Sequence, residues 1–163
     1  LQGGSSTLPN DLILYIRFVY FALEREKNQY FEQHNLTSSQ GDILLFLGGA
    51  YYHQRDVNQK NIEEHFHLTN PTVTGLLKRL EEKGFIDRKK SETDGRQKLI
   101  SLTDQSIQVL EDFQAHKETI DQKLLQGIDD DERELIIEQL KKLLRNLAPE
   151  DKHCKIDGRK NND

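Results

Sequence analysis

Apolar positions in this chain recur mostly at helical spacing, and the sharpest stripe lies near its middle. Val73, Leu76, Leu77 and Leu80 fall at i, i+3, i+4 and i+7, which predicts one buried helix face. Thr69 is the predicted N-cap. Pro71 suits the first turn, and Gly84 stops the helix just after Lys83, a cation favoured by the helix dipole. The opposite face holds Pro71, Gly75, Lys78, Arg79 and Glu82, flanked by Thr72 and Thr74, with no large apolar group. Two extended runs follow. Phe85 and Ile86 lead into Arg88, Lys89 and Lys90, and Leu99, Ile100 and Leu102 return after Asp94-Gly95-Arg96. Gly95 suits a hairpin tip that needs positive φ.

Similar patterning organises the remainder. A helix from about residue 8 or 10 to residue 33 starts at Pro9-Asn10 and presents Leu12, Ile13, Ile16, Val19, Tyr20 and Leu23. After a capping loop at Leu36–Gln40, a second helix carries Ile43, Leu44, Phe46 and Leu47 to the Gly48-Gly49 pair, and Tyr51, Tyr52 and His53 follow as a last turn or a loop. Asn58 caps a third helix containing Ile62 and Phe66, and a tight turn at Leu68-Thr69 joins it to the central one. Beyond Thr103 or Asp104, a long helix runs through Ile107, Leu110, Phe113, Ile120 and Leu124 to near Gly127. A last helix bears Leu135, Ile136, Leu140, Leu143, Leu144 and Leu147, and Pro149 ends it.

The predicted fold is mainly α with a small β-wing: a winged helix-turn-helix lobe flanked by helices at both ends. Its divisions are a flexible leader or expression remnant over 1–7, a dimerisation helix over 8–35 and the lobe over 36–103. Dimerisation helices over 104–148 and a disordered tail over 149–163 follow. A lobe of this size covers only part of the flanking stripes, so a second copy of the chain is expected to bury the rest.

Net charge is −5, which does not advertise a nucleic-acid binder, but its distribution does. Residues 67–98 hold eight Lys/Arg against five Asp/Glu, leaving +3, whereas residues 104–148 hold six against eleven, leaving −5. A basic patch on an acidic body attracts phosphate locally and keeps the rest away. The single cysteine, Cys154, permits no intramolecular disulfide, and there is neither a membrane-length apolar run nor a secretory leader. A cytoplasmic setting is the expectation.

The run N-P-T-V-T-G-L-L-K-R-L-E-E-K-G-F-I-D-R, followed by T-D-G-R-Q-K-L-I-S-L-T, resembles the signature of the MarR family of winged helix-turn-helix transcription regulators. The resemblance rests on Leu80, Glu81, Gly84, Phe85, Ile86 and Arg88, then Asp94 and Arg96 in the wing, then Leu102 and Thr103. It extends more loosely over residues 10–147, and N-P-T-V-T is most similar to repressors of multidrug efflux pumps. Three positions depart from the family pattern: Glu63 where a small residue is usual, Gly75 where a larger and often basic one is, and Ser106 in place of Gly.

The resemblance implies a homodimer that grips a pseudo-palindromic double-stranded operator, and a cleft for a small aromatic effector. Asn70, Thr72, Thr74, Gly75, Lys78 and Arg79 are the expected major-groove contacts. Arg88 is expected on phosphate. Asp94 and Arg96 form the wing tip, with Arg96 probing the minor groove and Asp94 orienting its guanidinium. On hairpin chemistry alone, an ordinary solvated turn is the favoured reading of that tip, and the coupled motif positions overturn it. Six of the twelve aromatics lie between residues 15 and 31. They suit a helix–helix core or a ligand pocket, and Tyr15, Phe18, Phe46 and Tyr51 are the ligand-binding candidates.

No catalytic residue, cofactor or metal site is expected. His65 and His67 stand two apart and face different ways on a helix, and His153-Cys154 lacks further ligands nearby. The first helix has no cysteine for peroxide sensing. Nucleophile–base pairs, phosphate loops and clustered carboxylates are missing as well. The alternative reading is a winged-helix protein–protein interaction module without specific DNA reading.

Overall fold

A computed structural model describes residues 10–90 and 98–147. The elements run α1 (Leu12–Gln33), α2 (Ser38–Tyr52), α3 (Gln59–Phe66), α4 (Asn70–Glu82), β1 (Ile86–Lys90), β2 (Lys98–Leu102), α5 (Asp104–Leu124) and α6 (Asp130–Leu147). The described residues form two compact units, one ending at Ile120 and the other starting at Asp121.

In the first unit, the helices begin where short polar side chains satisfy the free N–H groups of the opening turn. Asp11, rather than Pro9 or Asn10, starts α1, its Oδ1 accepting from the Ile13 and Leu14 amides at 2.9 and 3.3 Å. Thr37 and Gln40 form a reciprocal capping box on α2, and Asn58 and Asn61 form one on α3. Thr69 occupies the N-cap position of α4 without a side-chain cap, because its hydroxyl pairs with that of Thr72 at 2.9 Å. Gly84, at φ +79°, turns the chain out of α4 into β1.

α2 passes straight through Gly48-Gly49 as far as Tyr52, so Tyr51 and Tyr52 form its last turn, one of the two arrangements that the sequence left open. Packing overrides the propensity: a Cβ on Gly48 would lie 2.8 Å from Leu110 Cδ1, and one on Gly41 would lie 2.6 Å from Phe31 Cδ2. Both glycines let a neighbouring side chain sit directly on the helix backbone.

Phe31, Ile43, Leu44, Ile62, Val73, Leu77, Leu80 and Ile86 are all buried at the centre of the core. Tyr30 and Phe31 of α1 and Val109 and Leu110 of α5 belong to the same cluster, so helices flanking the lobe help build its core. β1 and β2 pair antiparallel, Ile86 opposite Leu102 and Lys90 opposite Lys98. The chain entering α3 adds a rung, the Ile100 amide donating to the Val57 carbonyl at 2.8 Å and Asn58 bridging to Leu99.

The second unit holds the end of α5, a turn at Gly127 (φ +80°) and α6. Asp129 and Glu132 cap α6 reciprocally at 2.9 and 3.0 Å. Leu135, Ile136, Leu140 and Leu144 of its stripe are exposed in the single chain.

Candidate nucleic-acid interface

α4 has two unlike sides. Val73, Leu77 and Leu80 are wholly inaccessible, whereas Asn70, Thr72, Thr74, Lys78 and Arg79 are exposed and Gly75 is half-exposed. Burying the three apolar side chains, at ~1.5–3 kcal/mol each, holds the polar side outward. No atom outside the helix backbone lies within 4 Å of a Cβ built on Gly75, so that side presents a shallow saddle between Thr72 and Lys78. Lys78 lies 3.8 Å from Glu82 in an exposed pair of little energetic weight. Arg79 has no ion-pair partner among the described residues.

The helix is anchored at both ends. At its N-terminus, the Asn70 amide nitrogen donates to Glu63 of α3 at 2.7 Å, and Gln59 Nε2 donates to Thr74 Oγ1 at 2.8 Å. At its C-terminus, Lys83 Nζ donates to the Asn35 carbonyl at 2.6 Å and to the buried Gln40 Oε1 at 3.1 Å, joining α4 to the α1–α2 junction. Arg88 of β1 is half-buried and pairs with Glu81, its Nε donating at 2.9 Å. The hydrogen bond and charge of Arg88 hold the Glu81 carboxyl below the usual carboxylate range, against a smaller opposing effect of burial. The pair fastens the base of the hairpin to α4, while Lys89 and Lys90 remain exposed. Asp94 and Arg96 lie outside the described residues.

A model described as the MarR family matches residues 36–98. The "Uncharacterized HTH-type transcriptional regulator YwoH" of Bacillus subtilis is 30% identical over 112 residues, covering 69% of this chain and 78% of that protein. MepR, a transcription regulator of the Staphylococcus aureus multidrug efflux pump MepA, superposes with a TM-score of 0.69 at 29% identity, over 84% of this chain and 98% of that one. A MepR–DNA complex matches at a TM-score of 0.65 and 29% identity, over 86% and 99%. This chain belongs to the MarR family.

As a MarR-family protein it is a transcription regulator with a winged helix-turn-helix fold, not an enzyme. Of its described helices, none is long and apolar enough to cross a membrane. At the three positions that depart from the family pattern, the structure gives a physical account of two. Glu63 is half-buried and accepts hydrogen bonds from Gln59 and Asn70 at 2.9 and 2.7 Å, so the space of a small residue is used by a polar clamp. Ser106 is fully buried, its hydroxyl donating to the Phe85 carbonyl and binding α5 to the turn that follows α4. Nothing in the structure explains Gly75.

The four aromatic candidates are not gathered into one described cavity. Tyr51 lines an open cleft of about 400 Å³ with Leu47, Arg55, Val57 and Ile100. Phe46 packs between His65 and Phe66, with ring centroids 4.4 and 5.8 Å away. Tyr15 and Phe18 meet edge to face at 6.4 Å on the exposed half of α1. A second cleft, of about 640 Å³, opens over Gly48 and Gly49 and is walled by Leu45, Tyr52, Leu110, Phe113 and Lys117. Sequence reasoning missed this cleft, and it also missed the anchoring roles of Gln59 and Lys83. The Gly-Gly pair was its visible trace, since it leaves that stretch of α2 without side chains: Gly48 seats Leu110, and a Cβ on Gly49 would meet nothing within 4 Å.

Proposed function

We propose that this MarR-family regulator is a homodimeric, sequence-specific reader of double-stranded DNA. In this reading it is a cytoplasmic repressor, released from a pseudo-palindromic operator by a small aromatic or drug-like ligand. The observation that carries the reading is the division of α4 between a fully buried apolar stripe and an exposed polar face. Asn70, Thr72 and Thr74 supply hydrogen-bonding groups for base edges. Lys78 and Arg79 supply charge for guanine or phosphate, and Gly75 admits the DNA closely. Arg88 serves chiefly to hold the hairpin, while Arg96, oriented by Asp94, enters the minor groove.

Dimerisation is supported by the apolar side chains that the single chain leaves exposed, among them Leu12, Ile13, Phe18 and Phe21 of α1 and Leu135 and Leu140 of α6. Residues 8–35 and 104–148 supply that interface, and 36–103 the DNA-binding lobe. The clefts beside Tyr51 and over Gly48-Gly49 are the candidate effector sites. A ligand there changes operator affinity by favouring one spacing of the two recognition helices. MepR, solved with DNA and named as a regulator of an efflux pump, supports both halves of the reading.

Duplex selection from a random library at moderate salt, with Arg96→Ala in parallel, tests it. The wild type is expected to enrich a palindrome whose half-sites lie about one helical turn apart. Arg96→Ala is expected to weaken binding roughly tenfold and to reduce the salt slope by about one. If no sequence enriches at any salt, the winged helix serves a protein partner instead.

A further inference from the structure

Behind the exposed face of α4 lies a polar network of four side chains. Gln59 and Glu63 stand one turn apart on α3, Asn70 and Thr74 one turn apart on α4, and the two pairs meet across the helix-turn-helix. Glu63 Oε1 accepts from Asn70 Nδ2 at 2.7 Å and from Gln59 Nε2 at 2.9 Å. Gln59 Nε2 also donates to Thr74 Oγ1 at 2.8 Å and, at 3.4 Å, to the Asn70 carbonyl.

Glu63 fixes the direction of the side-chain bonds in this set, and the Asn70 carbonyl, which also only accepts, agrees with it at the Gln59 nitrogen. A carboxylate only accepts, so the amide atoms that Asn70 and Gln59 turn toward Glu63 are their nitrogens. With the Gln59 nitrogen thus committed as donor, Thr74 Oγ1 accepts from the α3 side, and its own proton is left to point elsewhere. The Asn70 amide oxygen is likewise turned away from Glu63. Were residue 63 an amide, Asn70 could turn either way and Gln59 would be directed only by its 3.4 Å bond to the Asn70 carbonyl, so the polarity of the network would be much less defined.

We propose that Glu63 is a specificity-determining positioning residue whose charge makes Thr74 a donor and Asn70 Oδ1 an acceptor toward DNA. The inference rests on α4 being the major-groove helix. Thr74 then selects base edges that accept, namely purine N7, guanine O6 or thymine O4. Asn70 selects edges that donate, namely adenine N6 or cytosine N4. Glu63 and Gln59 do this without touching a base. The same carboxylate, set beside a basic helix, opposes phosphate equally for every sequence, so it trades overall affinity for discrimination.

The test uses the full chain as wild type, Glu63→Gln and Gln59→Ala, comparing duplex selection, affinity for a random-sequence duplex and thermal melting. Glu63→Gln keeps the shape and removes the charge. It is expected to melt as the wild type does and to bind random duplex at least as tightly. At two base-pair positions in each half-site, its preference should fall about three- to tenfold. Gln59→Ala should blur only the position facing Thr74. An unchanged base preference in Glu63→Gln, whether or not affinity or stability drops uniformly, would overturn the inference. A wild type that enriches no sequence would remove the DNA-reading premise and the inference with it. The two failures are told apart by which protein fails.

Discussion

Tyr30 joins α1 to α5 by both its ring and its hydroxyl. The ring meets Phe31, Phe113 and His116 at centroid distances of 5.4, 5.1 and 5.1 Å, and the hydroxyl donates to the Val109 carbonyl at 2.7 Å. Burial, assisted by the charge of Asp112, pushes the phenol up to about 12 from its ordinary value of 10.0. The raised value means that the fold favours the neutral phenol. Its contribution is therefore complete below pH 10 and is lost as pH climbs toward 12. Tyr30→Phe is expected to cost about 1 kcal/mol at neutral pH and to flatten the alkaline part of the stability profile, as read by urea unfolding on either side of pH 10. Glu81 works in the opposite direction. Its lowered value makes the Arg88 pair a contribution present at neutral pH and lost in acid. The sequence marked Tyr30 only as one aromatic among six, because the identity of a ring does not say which carbonyl or which other rings will surround it.

At the scale of the element, α2 is the clearest case of packing overruling local preference. A glycine pair near the end of an apolar run leaves the next residues open between a last turn and a loop, and the helix continues where Gly48 gives Leu110 a seat on its backbone. Gly41→Ala and Gly49→Ala separate the two influences. A Cβ at Gly41 meets the Phe31 ring, which is buried and stacked on Phe113 at 5.1 Å, so that variant is expected to lose about 1–3 kcal/mol through overpacking. A Cβ at Gly49 meets nothing within 4 Å, so that variant is expected to gain roughly 0.5–1 kcal/mol from helix propensity. Chemical denaturation of the pair decides it, and equal effects of the same sign would refute the account. α4 was legible in more detail, since its periodicity, proline and glycine all agree on one element. Its anchoring by Gln59, Glu63 and Lys83 was not, since those bonds join residues up to 48 apart in sequence.

For the whole molecule, the exposed stripes matter most. Ile136 and Leu140 of α6 stand four residues apart and are 43% and 48% exposed in the single chain, an arrangement that a monomer in water would not keep at low cost. In the proposed dimer, replacing both with Glu is expected to raise the dissociation constant about a hundredfold or more, because each subunit would lose two apolar contacts. Light scattering across a dilution series reads the shift, and circular dichroism checks that the helices persist. An unchanged dimer would place the interface elsewhere. Operator binding should weaken in step, since two linked half-site contacts become independent ones.

Hydrophobic period and backbone-special residues determined the number and order of the helices, the hairpin and the outward face of α4. These follow from local geometry: a 3.6-residue repeat, a proline that fits a first turn and a glycine that accepts positive φ. Spaced motif residues carried the family. Only the tertiary structure decided that α2 runs through its glycines and that Tyr30 and Leu110 belong to the core of the lobe. It alone placed Arg88 in a structural ion pair and set Glu63 to govern the polarity of the network behind α4. Each of these depends on which distant side chain arrives at a given atom, and periodicity along a single chain carries no record of that.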